Sequence, residues 1–478
     1  MQVRKEKMLK NASSSRLKLS SNGSQLLNII KFIMPLIATN LLQELYHASD
    51  IMIVGFSTEP DAIGAVGSTS AFLMLIKNVF IGFSVGVNVV VARFIGAGDR
   101  DGASRASHTA ICMSLIFGIL GATLGIALAK TVYVAMGYEG KLLRLALYYS
   151  YIYLAGIPFL SLTNFLSAIL QAKGDTRTSL YTLTVTGIVN VALNAVFVLI
   201  FGMSVEGVAL ATAISNLIAC AILWVHLARG DELCRISFKK IRVTKCDFLE
   251  IARIGFPAGL QNALFSISNL LISSSIVQIN NAVTPPGSAY APVMKGHSAS
   301  ASIESFVFQV LAAVTVTASV FTARAVGEGN YKKAKSSFTA LCIFSVCISA
   351  LLSLATIAFR DPLLALYGVV KSDDLLATIT YDTAMAKMFW KWPLFFTYSL
   401  MNAASGTLRG FGKSSLAALI ALFGTCVLRV VWIFTIFRIF PTLESIFISY
   451  PISWTATGIV FFIIIFRIFK EKLGKSGA

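Results

Sequence analysis

Apolar runs long enough to cross a bilayer as a helix, about 20 residues each, recur from one end of this chain to the other. The pattern predicts about twelve spans, at 29–55, 64–91, 107–130, 142–170, 178–201, 206–228, 248–280, 298–325, 335–359, 380–408, 414–440 and 445–469. The first is the least apolar, because Pro35, Glu44, His47 and Asp50 interrupt it. It follows a polar, basic tail that has no short apolar core ending in a small-residue cleavage site, so a cleavable signal peptide is not expected. Composition points the same way. Of 478 residues, 56% are hydrophobic and 13% charged, with a mean hydropathy of +0.77, whereas a soluble domain carries about 25% charged residues. The expected fold class is an all-α membrane protein.

A net charge of +18 raises the question of a nucleic-acid partner, and the placement of the charges answers it. With the N-terminal tail in the cytoplasm, twelve spans assign every later loop, and 29 of the 40 basic residues then fall inside. They lie in the tail, in the turns that carry Arg93, Arg100, Lys173, Arg177, Arg324, Lys332, Arg409 and Lys413, in the central linker and at the C-terminus. Seven fall outside: Lys130, Lys141, Arg144, Lys295, Arg360, Lys371 and Arg438. This is the positive-inside pattern. It predicts a multi-pass protein of the cell (inner or plasma) membrane with both termini cytoplasmic, whose partner is the lipid bilayer and not nucleic acid.

Metal and nucleotide chemistry find no footing. The seven cysteines lie in spans (Cys112, Cys220, Cys342, Cys347, Cys426) or in the linker (Cys234, Cys246), and none has zinc-like spacing. They read as small apolar side chains. Four scattered histidines make no metal site. The glycine-rich GAGD (96–99) and GEGN (327–330) lack the lysine–hydroxyl ending of a phosphate loop, so ATP is not the expected energy source. No cofactor and no enzymatic activity are expected.

The two halves of the chain repeat each other. Residues 92–103, ARFIGAGDRDGA, and 323–334, ARAVGEGNYKKA, share Ala92/Ala323, Arg93/Arg324, Gly96/Gly327, Gly98/Gly329 and Ala103/Ala334. Five identities in twelve positions exceed the roughly one expected by chance. Leu170 and Gly174 return as Leu408 and Gly412, and Pro35 as Pro257. Six spans per half is an even number, so both halves enter the membrane in the same direction. Such a parallel repeat is a recurrent transporter architecture, with the substrate site between the halves. The chain therefore divides into a basic tail (1–28), a six-helix lobe (29–228), a cytoplasmic linker (229–247), a second six-helix lobe (248–469) and a C-terminal tail (470–478).

Several segments resemble one family. MPLIATNLLQELYHASDIMIVG (34–55), VVARFIGAGDRDGASRASHTA (90–110), LQAKGDTRTS (170–179), VNVALNAVF (189–197), GVALATAIS (207–215), FPAGLQNALFSISN (256–269) and TLRGFGKS (407–414) occur in the order found in multidrug and toxic compound extrusion (MATE) transporters, of the bacterial DinF-like branch. The resemblance spans about 440 residues. It implies a two-lobed, twelve-helix exporter, expected to work as a monomer, that moves drugs or organic cations outward on a proton or sodium gradient.

Polar residues within the spans are the candidate site, because an ionisable group in a membrane costs energy and marks function by default. Asp50 lies about 8 Å below the outer end of the first span, at 1.5 Å per residue. Asn194 in the fifth span and Thr212 in the sixth reach similar depths, and Asn190 and Asn194 share a helix face at i,i+4. A carboxylate, two amides and a hydroxyl suit a small hard cation or a proton relay. The resemblance places a coupling site for Na+ or H+ on Asp50, Asn190, Asn194 and Thr212. Many relatives carry a second aspartate where this chain has Asn194, which leaves one carboxylate here. Glu44 and Lys77 lie at depths that differ by about 6 Å and are expected to pair. Glu304 and Arg429 raise the same prospect in the second lobe. Gln261 and Asn262 either line a central cavity or hydrogen-bond between helices.

Two other readings share the composition. A lipid-linked sugar flippase of the same wider superfamily would need two more helices and a strongly cationic central cavity, and few bases are evident within these spans. A membrane-embedded lipid-head-group transferase would need a His/Asp or metal cluster at one interface, and none is evident.

Overall fold

The computed structural model describes residues 22–54, 62–230, 234–237, 240–283 and 291–475, so most of the basic tail lies outside the described residues. Among the described residues, twelve long helices, some of them interrupted, follow one another. They are α1 (Asn22–Val54), α2 (Ala62–Ala97), α3 (Arg100–Ala135), α4 (Gly140–Ala155 bent into Ile157–Lys173), α5 (Arg177–Ile200) and α6 (Val205–Arg229). The second set is α7 (Lys245–Val283), α8 (Pro292–Gly327), α9 (Tyr331–Ala358), α10 (Leu375–Lys391 continuing as Phe395–Gly410), α11 (Ser414–Ile439) and α12 (Leu443–Lys475). Each predicted span coincides with one of these, and many helices run a turn or two further into the polar interface. Nine are individually long and apolar enough to cross a membrane, and the bent α4 makes a tenth. Helices α7 and α10 also have spanning length; Gln261 and Asn262 in the one, and Lys387, Lys391 and Arg409 in the other, add polarity.

The repeat runs deeper than the matched motifs. Pro158 sits at the 45° bend of α4, and Pro393 sits in a 3-10 turn, Trp392–Leu394, that breaks α10 at the corresponding place. A proline cannot donate to the preceding turn, so the regular α-helical ladder is interrupted at each. Helices α5 and α11 each contain a π-helical turn, Val196–Ile200 and Leu422–Val427.

The lobes meet along α2 with α7, and α8 with α1 and α2. Small residues let the backbones approach, as is usual where lipid supplies no hydrophobic drive. A Cβ placed on Gly82 would stand 2.2 Å from Gly259 Cα, and one on Gly86 would stand 2.4 Å from the Ile251 carbonyl oxygen.

At the end carrying the Gly98 and Gly329 turns, the contact is reciprocal. A Cβ on Gly96 would stand 2.2 Å from the Arg324 carbonyl oxygen, and one on Gly327 would stand 2.1 Å from that of Arg93. The Arg324 guanidinium lies against Gly174 and donates to the Ala172 carbonyl, while the Arg93 guanidinium lies against Gly412. Gly174 and Gly412 have φ of 94° and 77°, a left-handed conformation that glycine adopts without strain. Arg93 also pairs with Glu250 at the start of α7. The linker packs beneath this end: Ser237 N donates to His108 Nε2 at 3.1 Å, and Arg105 Nε pairs with Asp247 at 2.8 Å.

Candidate functional site

The sequence brings a carboxylate and two amides together inside the first lobe. Near the end of α1, Asp50 Oδ1 accepts from Asn194 Nδ2 of α5 at 2.6 Å. The same amide nitrogen donates to Asn190 Oδ1 at 3.2 Å, one helical turn away. Asn190 Nδ2 reaches Thr212 Oγ1 of α6 at 3.5 Å, and that hydroxyl donates to the Val208 carbonyl at 3.0 Å. Asn194 is fully buried and Asn190 nearly so, and Asn194 Oδ1 has no hydrogen-bond partner among the described residues. The four predicted residues thus form one chain across three helices.

The predicted pairing of Glu44 with Lys77 is not among the ion pairs of the described residues. Glu44 Oε2 instead accepts from Gln309 Nε2 of α8 at 3.0 Å, and Asn40 Nδ2 donates to the Gln309 carbonyl at 3.0 Å. Counting residues gives a side chain's depth but not its bearing around the helix, and α1 turns Glu44 toward the other lobe. Gln261 accepts from the buried Arg409 Nη2 at 2.9 Å, an interhelical bond, while Asn262 beside it is half-buried.

The second lobe differs from expectation. Glu304 of α8 does not pair with Arg429; it pairs with Lys387, at 3.0 Å, and with Lys391, both from α10. Arg429 Nε donates to Ser453 Oγ of α12 at 2.9 Å. The guanidinium stacks 4.2 Å from the Tyr450 ring centre, and Lys391 Nζ lies 3.7 Å from the same centre. Bases within the spans are therefore more numerous than the sequence reading allowed. Among the described residues, no group of three or more His, Cys, Asp or Glu side chains is arranged to hold a metal.

A MatE family model matches residues 35–196 and 257–435, one stretch in each lobe. The chain belongs to the MatE family. Among curated relatives of this MatE protein, the probable multidrug resistance protein YoeA of Bacillus subtilis is 23% identical over 92% of this chain and 93% of its own. The probable multidrug resistance protein NorM of Thermotoga maritima is 25% identical over 81% and 80%. The fold matches an outward-facing MATE transporter of the MOP superfamily with a TM-score of 0.85 at 21% identity, covering 94% of this chain and 97% of that one. It also matches a MOP superfamily transporter from Pyrococcus furiosus, described as having a binding pocket of reversed polarity, with a TM-score of 0.82 at 20% identity over 96% and 98%. The MatE protein is thus a multi-pass membrane transporter and not an enzyme.

Sequence reasoning overlooked Lys387 and Lys391 of this MatE protein. The signal was present: assigning 29 bases to inside loops and seven to outside loops leaves four of the 40 unassigned. They are Lys77, Lys387, Lys391 and Arg429, and the i,i+4 spacing of the two α10 lysines sets both on one face toward Glu304.

Proposed function

We propose that this MatE protein exports amphipathic small molecules across the cell membrane by alternating access of its two lobes, driven by inward flow of protons through Asp50. The names of the multidrug relatives support the substrate class. The bond between Asp50 and Asn194 is the observation that supports a proton as the coupling ion. An ionised Asp50 accepts from the Asn194 amide nitrogen. A protonated Asp50 donates to the amide oxygen once that amide flips, and Asn190 and Thr212 can follow, because each has both donor and acceptor. One carboxylate is enough for a proton, whereas a sodium ion would draw a single formal counter-charge from the cluster. The contacts through Arg93, Arg324, Gly96 and Gly327 close the lobes at the turn end, as an alternating-access cycle needs in one of its states.

The test is export in proteoliposomes with a proton or a sodium gradient imposed separately, using ethidium as a cationic dye and carboxyfluorescein as an anionic one. Export of at least one dye should follow the pH gradient; sodium-driven export that persists without one would refute proton coupling. Asn194→Asp should then strengthen sodium binding, by supplying a second carboxylate, and calorimetry with NaCl against choline chloride measures it.

The turn end faces the cytoplasm in this proposal, with both termini on that side. In a cysteine-free background, Ser237→Cys should resist impermeant maleimide applied outside intact cells, and Asp373→Cys, which is exposed, should react. Labelling of Ser237→Cys from outside would reverse the assignment.

A further inference from the structure

The second lobe holds more positive charge than its own acids neutralise. Lys387 and Lys391 pair with the single carboxylate of Glu304, Arg429 lies with Lys391 against Tyr450, and each of the four is at most 7% exposed. Asp382, another acid of α10, is exposed. Both lysines are committed to Glu304. If one of them were neutral, Glu304 and the other would balance, and Arg429 would still be in surplus, since a guanidinium keeps its proton in proteins. Its direct contacts among the described residues are a serine hydroxyl and aromatic faces, and the one carboxylate nearby, Glu304, is already taken by the two lysines. Burying such a charge without a counter-ion is strongly unfavourable.

The surroundings specify what would neutralise it. Lys391 and Arg429 both lie against Tyr450, at 3.7 and 4.2 Å, and both within 6 Å of Trp454, at 5.6 and 5.8 Å. Tyr398 packs against Trp454 at a 54° tilt with ring centres 5.1 Å apart and meets Phe308 edge-on at 4.9 Å, and Phe308, Tyr398 and Tyr450 each keep part of their surface uncovered. Two cations over shared ring surfaces suit a flat organic anion, with its ring against the aromatic walls and its charge between ammonium and guanidinium. We propose that the centre formed by Lys391 and Arg429 binds the carboxylate or sulfonate group of an aromatic substrate, so that the transported molecule carries a negative charge in place of the positive one that the resemblance implied. The two lobes then hold sites of opposite preference, protons at Asp50 and an organic anion here. Outward movement of an anion and inward movement of a proton are both favoured by an inside-negative membrane potential.

The inference rests on the exporter reading, and its test measures binding with no gradient, so either can fail without the other. The purified protein in phosphatidylcholine nanodiscs is titrated calorimetrically with naphthalene-2-sulfonate, and with 2-naphthylmethylammonium as a similar ring of opposite charge. The sulfonate should bind at least about tenfold more tightly. Arg429→Gln should remove that preference. Glu304→Gln, which deletes the internal counter-charge, should tighten sulfonate binding several-fold, an effect of opposite sign that general loosening of the lobe would not produce. Equal affinity for the two probes, or sulfonate binding that is unaltered in Arg429→Gln, overturns the proposal. If Arg429→Gln does not assemble, Glu304→Gln decides: weaker sulfonate binding overturns it.

Discussion

Asp50→Asn is expected to abolish gradient-driven export while leaving membrane abundance and substrate binding close to normal. The variant keeps an oxygen to accept from Asn194 and keeps the size of the side chain, but fixes the group neutral. Ionised Asp50 within the α1–α5–α6 bundle requires the Asn194 donor; neutral Asp50 does not. That difference is what lets protonation favour one arrangement of the lobe over the other, and a ligand shifts an equilibrium only through such a difference. With the difference removed, export under a pH gradient should fall by at least about tenfold, the effect of losing roughly 1.4 kcal/mol of coupling. The measurement is dye export in proteoliposomes beside quantified protein in the membrane. Wild-type export by Asp50→Asn would remove Asp50 from the coupling mechanism, and failure of the variant to accumulate would assign it a structural role.

The paired substitution Gly96→Ala with Gly327→Ala should hold the turn end of the molecule apart. Each new methyl group would face a backbone carbonyl oxygen of the other lobe, at 2.2 and 2.1 Å, and a carbonyl within a helix has little room to move aside. Overpacking of this kind costs about 1–3 kcal/mol at each site, which translates to a shift of roughly tenfold or more against the closed arrangement. Apolar clusters confined to one lobe, around Leu154 and Val208 in the first and around Trp392 and Phe461 in the second, are untouched, so the protein should still assemble. Asn40→Cys, placed between the lobes where Asn40 now bonds to Gln309, is the reporter in a cysteine-free background. Its reaction with impermeant maleimide from the cytoplasmic side should quicken about tenfold and export should fall with it. Unchanged labelling and unchanged export together would mean that closure does not depend on these glycines.

The spans were legible because burial in lipid demands long apolar runs, and hydropathy measures that directly. The Asp50 cluster was legible for the converse reason: each of its polar side chains interrupts an apolar helix at a similar depth. Bearing around the helix was not legible. Glu44 and Lys77 match in height, yet α1 directs Glu44 to Gln309 across the lobe boundary. The Lys387–Glu304–Lys391 group escaped because charge was read as topology, a property of loops, and a lysine inside α10 contributes nothing to that pattern. Arg93 and Arg324 were read as loop charges as well. Only the fold shows that each guanidinium crosses to a turn of the other lobe.

That crossing bears on how the chain arose. Arg93 lies on Gly412 and Arg324 on Gly174, and each pair joins the same two motifs, the arginine of ARxxGxG and the glycine that follows L-x-x-x, taken from opposite halves. A contact that swaps its partners under a half-turn is the mark of a two-fold symmetric interface, where one patch recognises another copy of itself. A gene encoding a single lobe would already contain both sides of the contact. Its product could dimerise with the six helices of each copy entering the membrane in the same direction, and gene fusion would then need only a tether between two partners already fitted to each other. The stretch between Arg229 and Lys245 is where such a tether now runs.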